Sequence, residues 1–381
     1  MKPCNVLLLM LFALLFVSAA QSQAIGDAST PDATKPTYTE FSASCAGTGA
    51  LQGTIPTSIN PAGTIAGIAF TANSLTHGFV RATNGTITCF DAPGAGTAKN
   101  QWTFPTTINA VGNIAGMYSD DVTAYRGFVR AAKTGAITDF DAPCAGTTGH
   151  RGTIPTGINA GGIITGIVKD SNDVHHGFVR EASGTLTCFD IPGAGSAPTE
   201  GTNGFAINTA GTIAGMYKDS NSVYHGFLRT RAGVVTAPID APGATKSTTV
   251  VKDLCCGGTY VLSINTAGTI IGTYTDSNGV FHGFLRTSTG TITEFNEGAY
   301  GTIPTSITTG GEIAGIYGDS KGTFHGFVRA VSGRITTFNA PGVAGTGLFY
   351  GTAPISINTS GDIAGPYSDS GSVYHGFLRT P

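Results

Sequence analysis

Short runs rich in Ile, Val, Phe, Tyr and Thr alternate with clusters of Gly, Asn, Ser and Asp along almost the whole chain. The first kind of residue fits a pleated, half-buried strand, and the second supplies turns. No stretch after the first two dozen residues keeps a helical period of useful length. The pattern predicts four strands in each unit. In the first unit they are strand a over Thr54–Asn60, b over Thr64–Phe70, c over His77–Ala82 and d over Thr86–Asp91.

The unit repeats. The motif I-N-x-x-G-x-I-x-G returns with its Ile at 59, 108, 158, 207, 264, 307 and 357, and one position takes Thr for Asn. The motif H-G-F-[VL]-R follows in each copy, with its Phe at 79, 128, 178, 227, 284, 327 and 377 and one Arg in place of His. Four strands in about 49 residues fit a propeller blade, whereas the coils of a parallel β-helix are shorter. The last copy stops after strand c, at Arg379-Thr380-Pro381. Before the first copy, Tyr38–Gly47 matches strand d and the loop that follows it. This permutation suits a ring, in which the two chain ends pair and no free edge remains. The expected fold is all-β: a seven-bladed β-propeller with four antiparallel strands per blade, its last blade completed by an N-terminal strand d.

These two motifs resemble the HAF-type extracellular repeat family, named for a His-Ala-Phe triplet in which this chain has Gly for Ala. The resemblance covers about residues 38–381. It implies export and a β-propeller-like fold and carries no reaction with it.

The N-terminus reads independently as a signal peptide. Lys2 opens it, an apolar run extends to Val17, and small residues at Ser18-Ala19-Ala20 or Ser22-Gln23-Ala24 offer cleavage sites. The expected organisation is a signal peptide over 1–24, a flexible leader over 25–36 and the propeller over 37–381. The expected location is secreted or periplasmic. The net charge of −3 draws neither nucleic acid nor an anionic membrane, and no second apolar run predicts membrane insertion.

Six cysteines remain after the leader. Cys45 and Cys144 share one slot of the repeat, Cys89 and Cys188 another, and Cys45 to Cys89 and Cys144 to Cys188 both span 44 residues. Disulfides Cys45–Cys89 and Cys144–Cys188 follow, and Cys255 with Cys256 is left over.

Asp and His recur six residues apart: Asp170/His176, Asp219/His225, Asp276/His282, Asp319/His325 and Asp369/His375. A pair present in nearly every blade reads as a fastening of the b–c hairpin rather than as a catalytic or metal-binding set. The Arg after each repeat Phe reads as scaffold, and where strand d ends in an acid, at Asp91, Asp141, Asp190 and Asp240, it is expected to meet that acid; Ser42, Asn296 and Asn339 take the slot elsewhere, so the pairing is not universal. No nucleotide loop, nucleophile elbow or metal-ligand spacing is present, so neither cofactor nor metal is expected.

The informative residues depart from the repeat. Just before strand a the chain varies, with Gln52, Gln101, Arg151, Glu200, Gly257, Tyr300 and Tyr350, and with Trp102 and His150 beside them. Trp102, His150, Arg151, Glu200, Tyr300 and Tyr350 are the candidate ligand residues at one channel mouth. Three functions fit. The first is a non-catalytic module binding a glycan or another exported protein. The second is an extracellular polysaccharide lyase or hydrolase using His150, Arg151 and Glu200. The third is a surface scaffold without a small ligand.

Overall fold

The computed structural model describes residues 35–72, 75–96, 101–119, 124–246, 257–344 and 351–381. Residues 1–34, Cys255, Cys256 and Tyr350 therefore lie outside the described residues. Among the described residues, twenty-eight strands fall into seven antiparallel groups of four, in the order a–b–c–d. In blade 1 these are Gly53–Ile59, Ile65–Phe70, Thr76–Arg81 and Ile87–Phe90. Blade 7 takes strand d from the other end of the chain. Thr37–Phe41 pairs antiparallel with Tyr374–Thr380, setting Tyr38 opposite Arg379 and Phe41 opposite Gly376. The chain is a seven-bladed β-propeller.

Three sets of contacts join neighbouring blades, and each follows from the repeat. In the outer layer, the strand-d Phe of one blade lies against the Gly of its own H-G-F motif. A Cβ on Gly78 would fall 2.7 Å from the Phe90 ring, so even Ala would collide. The same ring meets the next blade's repeat Phe edge-on, as in Phe90–Phe128 at 6.2 Å and Phe41–Phe79 at 6.2 Å. The next blade's Arg covers it, as with Arg130 over Phe90 and Arg81 over Phe41, both at 4.9 Å. Edge-to-face and cation–π contacts of this kind each contribute about 1 kcal/mol. This corrects the expected pairing of the repeat Arg with the strand-d acids. Those acids instead accept from the residue before the H-G-F glycine, namely His77 to Asp91, Arg126 to Asp141, His176 to Asp190 and His225 to Asp240.

A second joint lies at the start of strand a. Gly152 bridges to Tyr125 of the preceding blade, Gly201 to His175, Gly258 to Tyr224 and Gly53 to Tyr374. These glycines have φ between 109° and 133°. A Cβ on any of them would fall within about 2.1 Å of the preceding blade's carbonyl oxygen, so only Gly permits the approach. Blade 2 has Trp102 in this slot, bridged to Thr76.

The third joint is at the opposite end of strand a, where the Asn of I-N-x-x-G forms a chain around the axis. Asn60 Nδ2 donates to the Asn109 carbonyl at 3.3 Å, Asn109 to Asn159, Asn159 to Asn208, Asn208 to Asn265, and Asn265 to the Thr308 carbonyl. Asn358 donates to Asn60 at 3.2 Å and joins the last blade to the first. Each Asn Oδ1 also accepts amides of its own turn, as Asn60 does from Ala62 and Thr64. Thr308 has no amide to pass on, so the relay lacks its link to Asn358. Between the two end rings, strands a enclose a central cavity of about 310 Å³, lined by residues such as Ile55, Thr57, Thr106, Phe205, Leu262 and Ser306.

Two disulfides close onto the outer strands: Cys45–Cys89 ties the loop leaving blade 7 to blade 1, and Cys144–Cys188 ties blade 2 to blade 3.

Two outcomes are expected. Thr308→Asn completes the relay and raises the urea midpoint by the equivalent of about 1 kcal/mol, whereas Asn358→Ala lowers it by about 2–4 kcal/mol. Replacing Cys45 and Cys89 together by Ala lowers stability by about 3–4 kcal/mol, the chain-entropy value for a loop of this length, read from the same unfolding curves.

Candidate ligand-binding face

The start of strand a lies at one end of the axial cavity, so Arg151, Glu200 and Tyr300, each one residue before the glycine that opens its blade, share that face with Trp102. They do not share one environment. The Glu200 side chain turns back into its own loop, where its Oε2 accepts the Ala197 amide at 3.0 Å. Gln52 does the same in blade 1, accepting from Gly49 at 3.1 Å. Glu200 is therefore a loop brace, and neither a partner for Arg151 nor a base directed at the mouth. Tyr300 is half-buried in blade 6, apart from the others, and its amide donates to the Gly318 carbonyl.

Trp102 and His150 do converge, through a residue the loop pattern did not reveal. The Tyr125 ring lies 5.3 Å from Trp102 and 5.7 Å from His150, which makes an aromatic line from blade 2 to blade 3. Trp102 also lies 6.1 Å from Phe104 and packs on the Ile68–Phe104–Met117 cluster, so much of its ring serves the core. His150 is exposed and Arg151 half-buried at the rim.

Behind this rim the repeat is broken a second time. The last residue of strand b is Phe70, Ser119, Thr275, Gly318 or Ser368 in five blades, but Lys169 in blade 3 and Lys218 in blade 4. The first residue of strand c is Thr or an aromatic in six blades, but His175 in blade 3. Lys169 and His175 are directly opposite each other in the sheet. Both are buried. His175 Nδ1 meets Asn203 Oδ1 of blade 4 at 2.9 Å, where the joints after blades 2, 4 and 5 set an aromatic against an apolar or aromatic residue. Lys169 Nζ lies 3.7 Å from Asp173. Lys218 Nζ donates to Thr199 at 3.5 Å. Burial, with Lys169 nearby, pushes the His175 pKa down to about 4, so its ring is neutral at pH 7. Burial also lowers Lys169, against the pull of Asp173. In the sequence these residues stand out as breaks at strand positions, outside the variable loop that precedes strand a.

The Asp/His pairs lie elsewhere, on the outer part of each b–c hairpin. The His Nε2 to Asp distances are 3.7 Å for His176–Asp170, 3.5 Å for His225–Asp219, 3.3 Å for His282–Asp276, 3.2 Å for His325–Asp319 and 3.1 Å for His375–Asp369. Each Asp Oδ1 also accepts two amides of its turn, as Asp170 does from Asn172 and Val174. Among the described residues no three His, Cys, Asp or Glu side chains group as a metal site would. No helix among them is long and apolar enough to cross a membrane.

No family model matches the chain, and no curated protein does. Solved structures do. A streptogramin B lyase is similar at TM-score 0.57 and 17% identity, over 91% of this chain and 98% of that one. Virginiamycin B lyase from Staphylococcus aureus is similar at TM-score 0.56 and 14% identity, over 91% and 100%. A prolyl endopeptidase reaches TM-score 0.52 at 12% identity, over 82% of this chain and 46% of that one. At these identities the likeness is one of fold alone.

The neutral His175 sets a pH dependence. Its folded pKa lies below the unfolded value of about 6.5, so on acidification the unfolded chain takes the proton first. Stability from this group is complete above pH 6.5 and is lost as pH falls toward 4, by about 3 kcal/mol. His225, raised by its hydrogen bond to Asp240, contributes with the opposite sign. Comparing urea midpoints of the native chain and His175→Phe between pH 4 and 7 isolates the difference: the variant should lose less stability over that range.

Proposed function

We propose that the protein is an exported, non-catalytic propeller whose ligand is a glycan held on the face formed by the starts of strands a. One observation carries this reading. In a framework repeated seven times, a single sector across blades 2–4 gathers the departures Trp102, His150, Arg151, Lys169 and His175. The exposed His150 ring and the half-buried Trp102 offer aromatic faces, and the polar groups beside them offer directional hydrogen bonds, the usual mixture in a site for a hydroxylated ligand. Arg151 and His150 stand at the rim where such a ligand arrives. Export is supported by the apolar leader and by the two disulfides, which persist in oxidising compartments. The lyase or hydrolase alternative relied on Glu200 as a carboxylate at the mouth, and that carboxylate is engaged with its own loop.

The mature chain, residues 25–381, applied to a glycan array should retain a limited set of glycans. Replacing His150 and Arg151 together by Ala should weaken the best of them at least tenfold, about 1.4 kcal/mol, with Tm unchanged within about 2 °C. Failure to retain any glycan, or affinity unaltered in the double variant, rejects the reading.

A further inference from the structure

The sector behind the rim has an unusual set of free valences. Tyr125 is 3% exposed and its hydroxyl reaches no partner in the protein. His175 is 6% exposed and its Nε2 likewise reaches none. With Nδ1 donating to Asn203 Oδ1, a neutral imidazole presents Nε2 as an acceptor. Lys169, 4% exposed, is met only loosely by Asp173, and Arg151 adds a second positive charge close enough to disfavour charge on Lys169. Lys169 stands directly opposite His175 in the sheet and 3.7 Å from Asp173, and the Asp173 charge is felt by Tyr125 and His175 as well. Buried polar atoms without partners each cost about 1–3 kcal/mol, and here two of them, Tyr125 Oη and His175 Nε2, lie beneath the rim residues His150 and Arg151.

We propose that this region, at the junction of blades 2, 3 and 4, takes the acidic end of a sugar, its carboxylate held by Lys169 and Arg151 and a ring hydroxyl donating to His175 Nε2. The inference rests on the glycan reading and narrows it. The complementarity is double. The two cations call for an anion, and the unmet acceptor on His175 calls for a hydrogen-bond donor on the same molecule. Acetate or phosphate at neutral pH meets mainly the first demand, and a neutral hexose meets only the second. A uronic acid meets both, and the Tyr125 hydroxyl can donate to or accept from either part. Asp173 is the built-in competitor: its carboxylate occupies part of the space an incoming carboxylate needs, at 3.7 Å from Lys169.

Asp173 also supplies the sharpest test. Its φ is +65°, a conformation Asn adopts readily, so Asp173→Asn keeps the turn while removing the competing charge. Calorimetric titration would compare D-glucuronate and D-galacturonate with D-glucose, D-galactose and acetate. A uronate should bind at least tenfold more tightly than its neutral hexose and than acetate. Asp173→Asn should tighten the uronate severalfold and leave the hexose unchanged. Lys169→Met should abolish the preference; if that variant does not fold, Arg151→Ala at the rim should reduce it. Equal affinity for uronate and hexose, or an Asp173→Asn variant without effect on uronate, overturns the inference while the glycan reading stands. An absence of binding to every sugar, in the titrations and on the array, removes both.

Discussion

Everything in this structure depends on fixing the angle between one blade and the next, and the strand-d phenylalanine does most of this. Its ring lies on the glycine of its own blade, edge-on to the buried Phe of the following blade and under that blade's Arg. The contact lies between units, so no blade can complete it alone. An open array would leave one ring uncovered and one Arg without its ring. The N-terminal strand avoids both by delivering Phe41 to Phe79 and Arg81. The joint between blades 4 and 5 is the exception that shows what the ring contributes. Ile239 stands in for the Phe there and packs on Gly226, while a Glu294 carboxylate from blade 5 accepts the Gly243 amide across the joint.

A framework held by repeated contacts leaves local departures free to specialise. At the joints that follow blades 2, 4 and 5, the layer near the axial mouth is filled by pairs such as Tyr125 with Ile154, Tyr224 with Tyr260, and Phe281 with Ile303. At the joint that follows blade 3 it holds His175 and Asn203. An apolar pair would pack there at no electrostatic cost, so the polar version sacrifices stability at one joint of the ring. The depressed His175 pKa is a direct expression of that cost. Residues that oppose folding and gather in one sector of the ring are better explained by what they bind than by what they hold together.

The sequence made the ring legible because its evidence is periodic. Two motifs at intervals near 49 residues, and a missing last strand matched by an extra first one, give the blade unit and the pairing of Thr37–Phe41 with Tyr374–Thr380. The disulfide pairs were legible for the same reason, since equivalent slots in different blades are equivalent points in space. What stayed hidden was contact between units. Charge alone suggested that the repeat Arg meets the strand-d acid where there is one, but a strand-d side chain that points toward the next blade cannot be recognised from a single blade. Glu200 misled in a related way. Its place before strand a put it on the right face, but the tight loop after Gly195 leaves its carboxylate within reach of its own backbone.

The outer histidines make the complementary argument. His225, His282, His325 and His375 each stack on a strand-b Tyr at 5.0–5.1 Å and lie between two polar partners. Such a set looks chemically rich, and in isolation any one of them could pass for a general base beside its carboxylate. Rotation around the axis repeats the arrangement, so a ligand would find several near-equivalent places far apart and no reason to prefer one. His175 has none of that redundancy. It follows the same hairpin turn as the repeated His176, one residue earlier, and this shift alone moves it from the outer face of the blade to the joint with blade 4. One position in the strand thus separates a histidine that fastens a hairpin from one that is buried, neutral and left with an acceptor to fill.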